Sequence, residues 1–211
     1  MTIIVHHLEN SRSQRVLWML EELGLPHEVK RYERNKKTML APPELRRVHP
    51  LGKSPVIEDN DDNGCVVAET GAIVEYLVDK ADGRLGAPAK RDQALAYRFW
   101  LHYAEGSLMP PLLLKLVLGR IPLMGKAATR RIQPMIDVHL DFVEQSLADQ
   151  PWFAGDQMTA ADIMMSFPLE AARSRAGLDK SRPNTIAWLE KIHARPAYQK
   201  ALEEGGPYAY A

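Results

Sequence analysis

Several polar side chains stand where a helical pattern begins or a strand pattern ends, and their types suit an anionic ligand. Glu69 and Thr70 open a helical run, where unbonded amides and the positive end of the helix dipole attract a carboxylate, and Glu69 can itself pair with an ammonium. Either residue could equally be a helix cap. Lys53 can neutralise a second carboxylate or simply be solvated. Ser54 precedes Pro55, and proline is the residue before which a cis peptide is readily adopted; an ordinary trans turn is the alternative. Asn10, Ser11 and Ser13 offer one amide and two hydroxyls at the start of the first helical pattern, as donors to a ligand or as caps. Further along, Tyr103 and Ser107 share one helical face, where a phenol provides an apolar ring plus a donor, or packs between helices. The one cysteine, Cys65, excludes an internal disulfide, a multi-thiolate zinc site and dithiol redox chemistry. The histidines lack the paired spacing of a metal site, and His6 and His7 point to opposite faces of a strand, so no metal is implied.

These residues are carried by a regular succession of elements. Thr2–His7 is short and β-rich; Val16, Leu17, Leu20 and Leu23 then recur at helical spacing up to Gly24, a natural stop. Glu28–Tyr32 reads as a second strand, Pro42–Val48 as a short helix, Pro55–Glu58 as a third strand and Cys65–Val67 as the returning arm of a hairpin turned at Asp59–Gly64. A helix follows from Glu69. Gly83, Gly86 and Pro88 break both periodicities, so residues 82–89 are read as a linker between a first domain, 1–81, and a second, 90–211. In the second, strand signals vanish and Ala94–Leu118, Ala127–Leu147, Ala160–Ala172 and Ile186–His193 carry apolar stripes at three-to-four spacing. Pro110 and Pro111 are expected to kink or locally open the first of these helices, and Thr159 with Asp162 forms a capping-box-like start.

A βαβαββα order with proline opening the third strand resembles the thioredoxin fold. With helices appended after a linker, the chain resembles the cytosolic glutathione transferases over nearly its whole length. Four segments carry the resemblance: Asn10–Arg15, Pro50–Val56, Glu69–Leu77 and Thr159–Met164, in that order and separation, with Trp188 and Arg195–Ala197 resembling the family's terminal helices. The fold class implied is α/β plus all-α. The resemblance implies that Glu69 and Thr70 hold the γ-glutamyl end of glutathione, that the main chain of Ser54, before a cis proline, pairs with the cysteinyl unit, and that Lys53 neutralises the glycyl carboxylate. Members place a Ser, Tyr or Cys near the start of the first helix to stabilise the thiolate. Counting back from Arg15 onto the serine-type motif of bacterial members puts Asn10 at the usual hydroxyl position and Ser11 one later. Ser11 is the favoured thiolate donor, Asn10 the second through its amide, and Ser13 the third. A small hydrophobic electrophile is then expected beside Tyr103 and Ser107.

Lys plus Arg and Asp plus Glu both number 27 in 211 residues, so there is no basic footprint for nucleic acid. No apolar run is long enough to span a bilayer and no signal-peptide pattern opens the chain. The reading is a cytoplasmic homodimer that uses glutathione as co-substrate, with no other cofactor, no nucleic acid and no membrane. Two alternatives stand beside conjugation: a non-catalytic binding or regulatory module of the same fold, and a glutathione-dependent peroxidase or isomerase.

Overall fold

The β-branched start of the chain forms β1 (Ile3–Leu8), whose Ile3, Val5, His6, His7 and Leu8 are all buried because neighbours cover it on both edges. The computed structural model describes residues 2–61 and 64–210, and its backbone divides into two units, Met1–Gly86 with His193–Ala209, and Ala87–Ile192. In the first unit β1 pairs in parallel with β2 (His27–Tyr32) and antiparallel with β3 (Val56–Asp59), which pairs antiparallel with β4 (Cys65–Ala68), in the order β2-β1-β3-β4. This is the thioredoxin-like arrangement. Of the turn expected at Asp59–Gly64, Asp62 and Asn63 lie outside the described residues.

The helix α1 (Ser13–Leu23) stops at Gly24, which takes the left-handed φ of 60° that closes a helix without a Cβ clash. Val16, Leu17, Leu20 and Leu23 are buried as the periodicity requires, but so are Trp18 and Met19. The reason is a second partner. The helix α9 (Pro196–Gly205) packs on α1, with Tyr198 edge-on to Trp18 at 5.4 Å between centroids. The chain-order reading grouped this stretch with residues 90–211, whereas by its contacts it belongs with the first unit. The short α2 (Leu45–Val48) leads to β3, and α3 (Thr70–Lys80) follows β4. Asp59, at the end of β3, accepts from the Tyr76 hydroxyl at 2.6 Å and pairs with Lys80 at 2.7 Å. Burial opposes its charge, yet these bonds and the Asp61 amide outweigh burial and hold the carboxyl below its usual range.

The second unit is helical: α4 (Arg91–Tyr103), α5 (Met109–Gly119), α6 (Gly125–Ala148), α7 (Ala160–Arg175) and α8 (Pro183–His193). The long first helix is locally opened, as its two prolines suggest, by a π turn at Ala104–Leu108. Pro110 and Pro111 have no amide to donate, so they occupy the opening turn of α5, where amides lack intrahelical partners anyway. The middle of the unit is α7, buried from Ala160 to Ala172 against α4 and α5. It opens on the expected capping box: Asp162 accepts the Thr159 amide at 2.8 Å and the Phe153 amide at 3.0 Å.

Candidate active site

The loop from β1 to α1 carries the three candidate thiolate donors in unlike environments. Asn10 has φ of 50°, a left-handed conformation that asparagine tolerates better than most residues, and its Oδ1 accepts the Ala209 amide at 2.8 Å. Ser13 is wholly buried, with its Oγ bonded to His7 Nδ1 at 3.0 Å and to the Leu8 amide at 3.1 Å. Ser11, 6% exposed, lies 2.8 Å from Ser13 Oγ and accepts the Ser13 amide at 3.2 Å. Of the two serines, then, only Ser11 retains any opening toward solvent.

Ser54 is stitched to the same loop. Its hydroxyl donates to the His6 carbonyl at 2.7 Å and accepts the Leu8 amide at 3.2 Å, the amide that Ser13 also accepts. The side chain is therefore committed to β1, leaving the main chain of Ser54 for a ligand, and the Ser54–Pro55 peptide is cis. Together with Lys53, Ser54 lines a groove of about 580 Å³ whose wall includes Leu8, Arg34, Arg46 and Gly52. Gly52 has φ of 57°, and a Cβ there would stand 2.6 Å from Arg46 Cγ, so the arginine stem lies across the glycine. Arg34 braces the loop, donating to the main-chain oxygens of Glu9 at 3.1 Å and Asn10 at 3.3 Å. Neither arginine stands in a sequence motif; only the fold brings them beside Lys53.

Val56 faces Ala68 across the β3–β4 ladder, and the next residue on each strand is Pro55 and Glu69. Sheet register thus sets Glu69 beside the cis proline. Glu69 is exposed, makes no side-chain capping bond and has φ of 72°, a conformation that favours glycine and strains a glutamate. Thr70 behind it is buried as the first residue of α3. Glu69 therefore does not cap α3 through its side chain.

In the second unit, the hydroxyl of Tyr103 is 2.5 Å from His139 Nδ1, and its ring joins Phe99, Trp100 and Phe142. Burial pushes the phenol up to about 12. Tyr103 thus has the interhelical packing that sequence offered as its alternative role. Ser107 is half-buried in the π turn.

Glu21, His27 and Glu204 bring ligand-type atoms within 4.8 Å of one another, a cluster that sequence separation hides. Lys200 supplies the positive charge there, 2.8 Å from Glu21, so the group reads as an ionic clamp between α9 and α1.

His7 is the residue that sequence reasoning overlooked. Burial first and the Arg31 charge second lower its pKa to about 4, against an opposing bond from the Gly205 main chain. A folded pKa below the unfolded value means that neutral His7 stabilises the fold above about pH 6.5, and that this is lost as pH falls toward 4. The loss amounts to about 3 kcal/mol. Urea unfolding at pH 7 and pH 4.5 should show it in the native chain and not in His7→Phe; equal acid sensitivity in both would refute the assignment.

The sequence comparisons agree with this geometry. The family description "Glutathione S-transferase, N-terminal domain" matches residues 11–80, and "Glutathione S-transferase, C-terminal domain" matches residues 115–196. The chain belongs to the cytosolic glutathione transferase superfamily. It is 37% identical to glutathione S-transferase 3 of Schizosaccharomyces pombe, covering 96% of this chain and 87% of the relative. Against glutathione S-transferase 1 of Saccharomyces cerevisiae the identity is 32%, over 96% and 94% of the two chains. Among solved structures, a glutathione S-transferase from Actinobacillus pleuropneumoniae superposes with a TM-score of 0.85 at 36% identity, covering 96% of this chain and 92% of that one. Ure2p in complex with glutathione shares the fold, with a TM-score of 0.81 at 21% identity, over 95% and 97%. No helix among the described residues of this superfamily member is long and apolar enough to cross a membrane.

Proposed function

We propose that the protein is a glutathione transferase that conjugates the glutathione thiolate to small hydrophobic electrophiles. The observation that carries this is the Ser11 hydroxyl at the start of α1, beside a Ser13 whose own hydroxyl is engaged by β1. Only a thiolate attacks, and free cysteine ionises near pH 8.5, so a donor at the sulfur and the positive end of α1 together raise the reactive fraction at neutral pH. Glu69 and Thr70 take the γ-glutamyl end, the Ser54 main chain pairs with the cysteinyl unit, and Lys53 takes the glycyl carboxylate at the mouth of the groove. Glutathione is the co-substrate, and no further cofactor is needed. Ser107 is the better of the two electrophile candidates, because the Tyr103 hydroxyl is bonded to His139.

Ser11→Ala should raise the ionisation midpoint of bound glutathione, read from thiolate absorbance, and lower turnover with a halonitroarene by about 10-fold or more, with glutathione affinity largely kept. Unchanged turnover and midpoint would sink Ser11 as the donor. The second reading, a glutathione-binding module without transferase activity, draws on Asn10 standing at the usual hydroxyl position with its Oδ1 already occupied. Assaying one sample against halonitroarenes, hydroperoxides and a disulfide separates transferase, peroxidase and inert module.

A cytoplasmic homodimer belongs to the same proposal. The outer face of α3, with Ala72, Glu75 and Asp79 exposed, is largely charged. A more apolar exposed surface is formed by Leu95 and Phe99 of α4 with Val138 and Phe142 of α6, the two phenylalanine rings lying 5.9 Å apart.

A further inference from the structure

The three candidate thiolate donors are tied to one remote stretch of chain, the end of α9. Its last residue, Gly205, stands against the His7 ring, where a Cβ would lie 3.2 Å from Cε1; His7 Nδ1 bonds Ser13 Oγ at 3.0 Å, and Ser13 Oγ bonds Ser11 Oγ at 2.8 Å. Four residues on, the Ala209 amide donates to Asn10 Oδ1 at 2.8 Å. We propose that the segment Gly205–Ala209 positions the thiolate site, orienting Ser11 through His7 and Ser13, and Asn10 through the Ala209 amide. The inference rests on the transferase reading and extends it to residues that touch no substrate.

Donor logic gives each link a direction. In the tautomer whose Nδ1 accepts the Ser13 hydroxyl, Ser13 Oγ is left to accept. Ser11 then keeps its proton for Ser13 or for a sulfur in front of it. In Asn10, an Oδ1 engaged by Ala209 fixes which end of the amide is which, so Nδ2 is the end left to donate.

The delivery of this segment is over-determined. Arg195 binds Glu22 in a fork at 2.5 and 2.8 Å, and Lys200 pairs with Glu21. Arg31 donates to the Glu204 carbonyl at 2.7 Å and the Glu203 carbonyl at 3.1 Å, a cation at the negative end of α9. His27 adds a bond to Glu204 at 2.8 Å. At Gly205 the backbone approaches so closely that a Cβ would collide with the Gln14 side-chain oxygen and press on His7 Cε1 at 3.2 Å. These contacts hold the end of α9, and with it Gly205, against the loop.

Two substitutions reach the two arms separately. Ala209→Pro deletes the amide that holds Asn10, and Gly205→Ala meets the Gln14 side-chain oxygen first and presses on the His7 ring, and through it on Ser13. Neither alters Glu9, Arg31 or Arg34, the charged groups held at this loop. With glutathione bound, each should raise the thiolate midpoint, by roughly 0.3 to 1 unit, a two- to tenfold fall in the ionisation constant, with Gly205→Ala the larger. Affinity for the protonated thiol should hold. Ala209→Gly, which keeps the amide, should restore the native midpoint. In an Asn10→Ala background, Ala209→Pro should add nothing; in a Ser11→Ala background, neither should Gly205→Ala. Unmoved midpoints, or shifts of full size in those backgrounds, overturn the inference while leaving the transferase reading intact. If Gly205→Ala fails to fold, Ala209→Pro with its double variant decides alone. A native protein that binds no glutathione removes the reading and the inference together.

Discussion

Asp162→Ala is expected to lower the unfolding free energy by roughly 2 to 4 kcal/mol, read as a shift in the urea midpoint at unchanged slope. The carboxylate is fully buried and accepts the amides of Phe153 and Thr159, so alanine leaves two buried donors without partners at the head of the most buried helix of the second unit. The pH dependence has a definite sign. Burial raises the carboxyl to about 6 against these bonds, so its favourable contribution is full below its unfolded value near 3.8 and declines as pH rises through 6. The gap between native protein and variant should therefore be wider at pH 5 than at pH 7.5. A gap that narrows on acidification would show that the hydrogen bonds, not burial, dominate the site.

Replacement of Glu69 is expected to remove most of the affinity for immobilised glutathione. Glu69 is exposed until a ligand ammonium covers it, and the charge-assisted hydrogen bond desolvated on binding is worth roughly 1.5 to 3 kcal/mol, which is about a 10- to 150-fold loss for Glu69→Ala. Glu69→Gly separates binding from structure. With φ of 72°, glycine relieves backbone strain, so this variant should bind as poorly as the alanine variant while unfolding at a higher denaturant concentration, by about 1 kcal/mol. Were Glu69 only a helix cap, both variants would lose stability and keep their affinity. Retention of native affinity by both would remove the γ-glutamyl anchor from the site.

Local patterns made much of the first unit readable. The β-branched run became β1, the stop at Gly24 closed α1, and the Pro50–Val56 segment carried its cis bond at Ser54–Pro55. Thr159 and Asp162, three residues apart, formed the capping box because a helix start sets that contact by itself. Spacing failed where the partner was remote. Nothing near Trp18 announces that Tyr198 will cover it, and nothing near Tyr103 announces His139.

The same division runs through the candidate site. Sequence by itself determined the fold class, the membership in the superfamily and the identity of the groups on offer, Asn10, Ser11, Ser13, Lys53, Ser54, Glu69 and Thr70, because helix starts, turns and strand ends are written within a few residues. Which of those groups remain available was decided only by tertiary structure. Ser13 lost its hydroxyl to His7 and Leu8, Ser54 lost its own to His6, and the amide of Asn10 was oriented by a residue 199 positions away. A hydroxyl has one proton and few lone pairs, so its availability depends on every polar atom within about 3 Å, and that set is assembled from distant parts of the chain only when the sheet and α9 close around the loop.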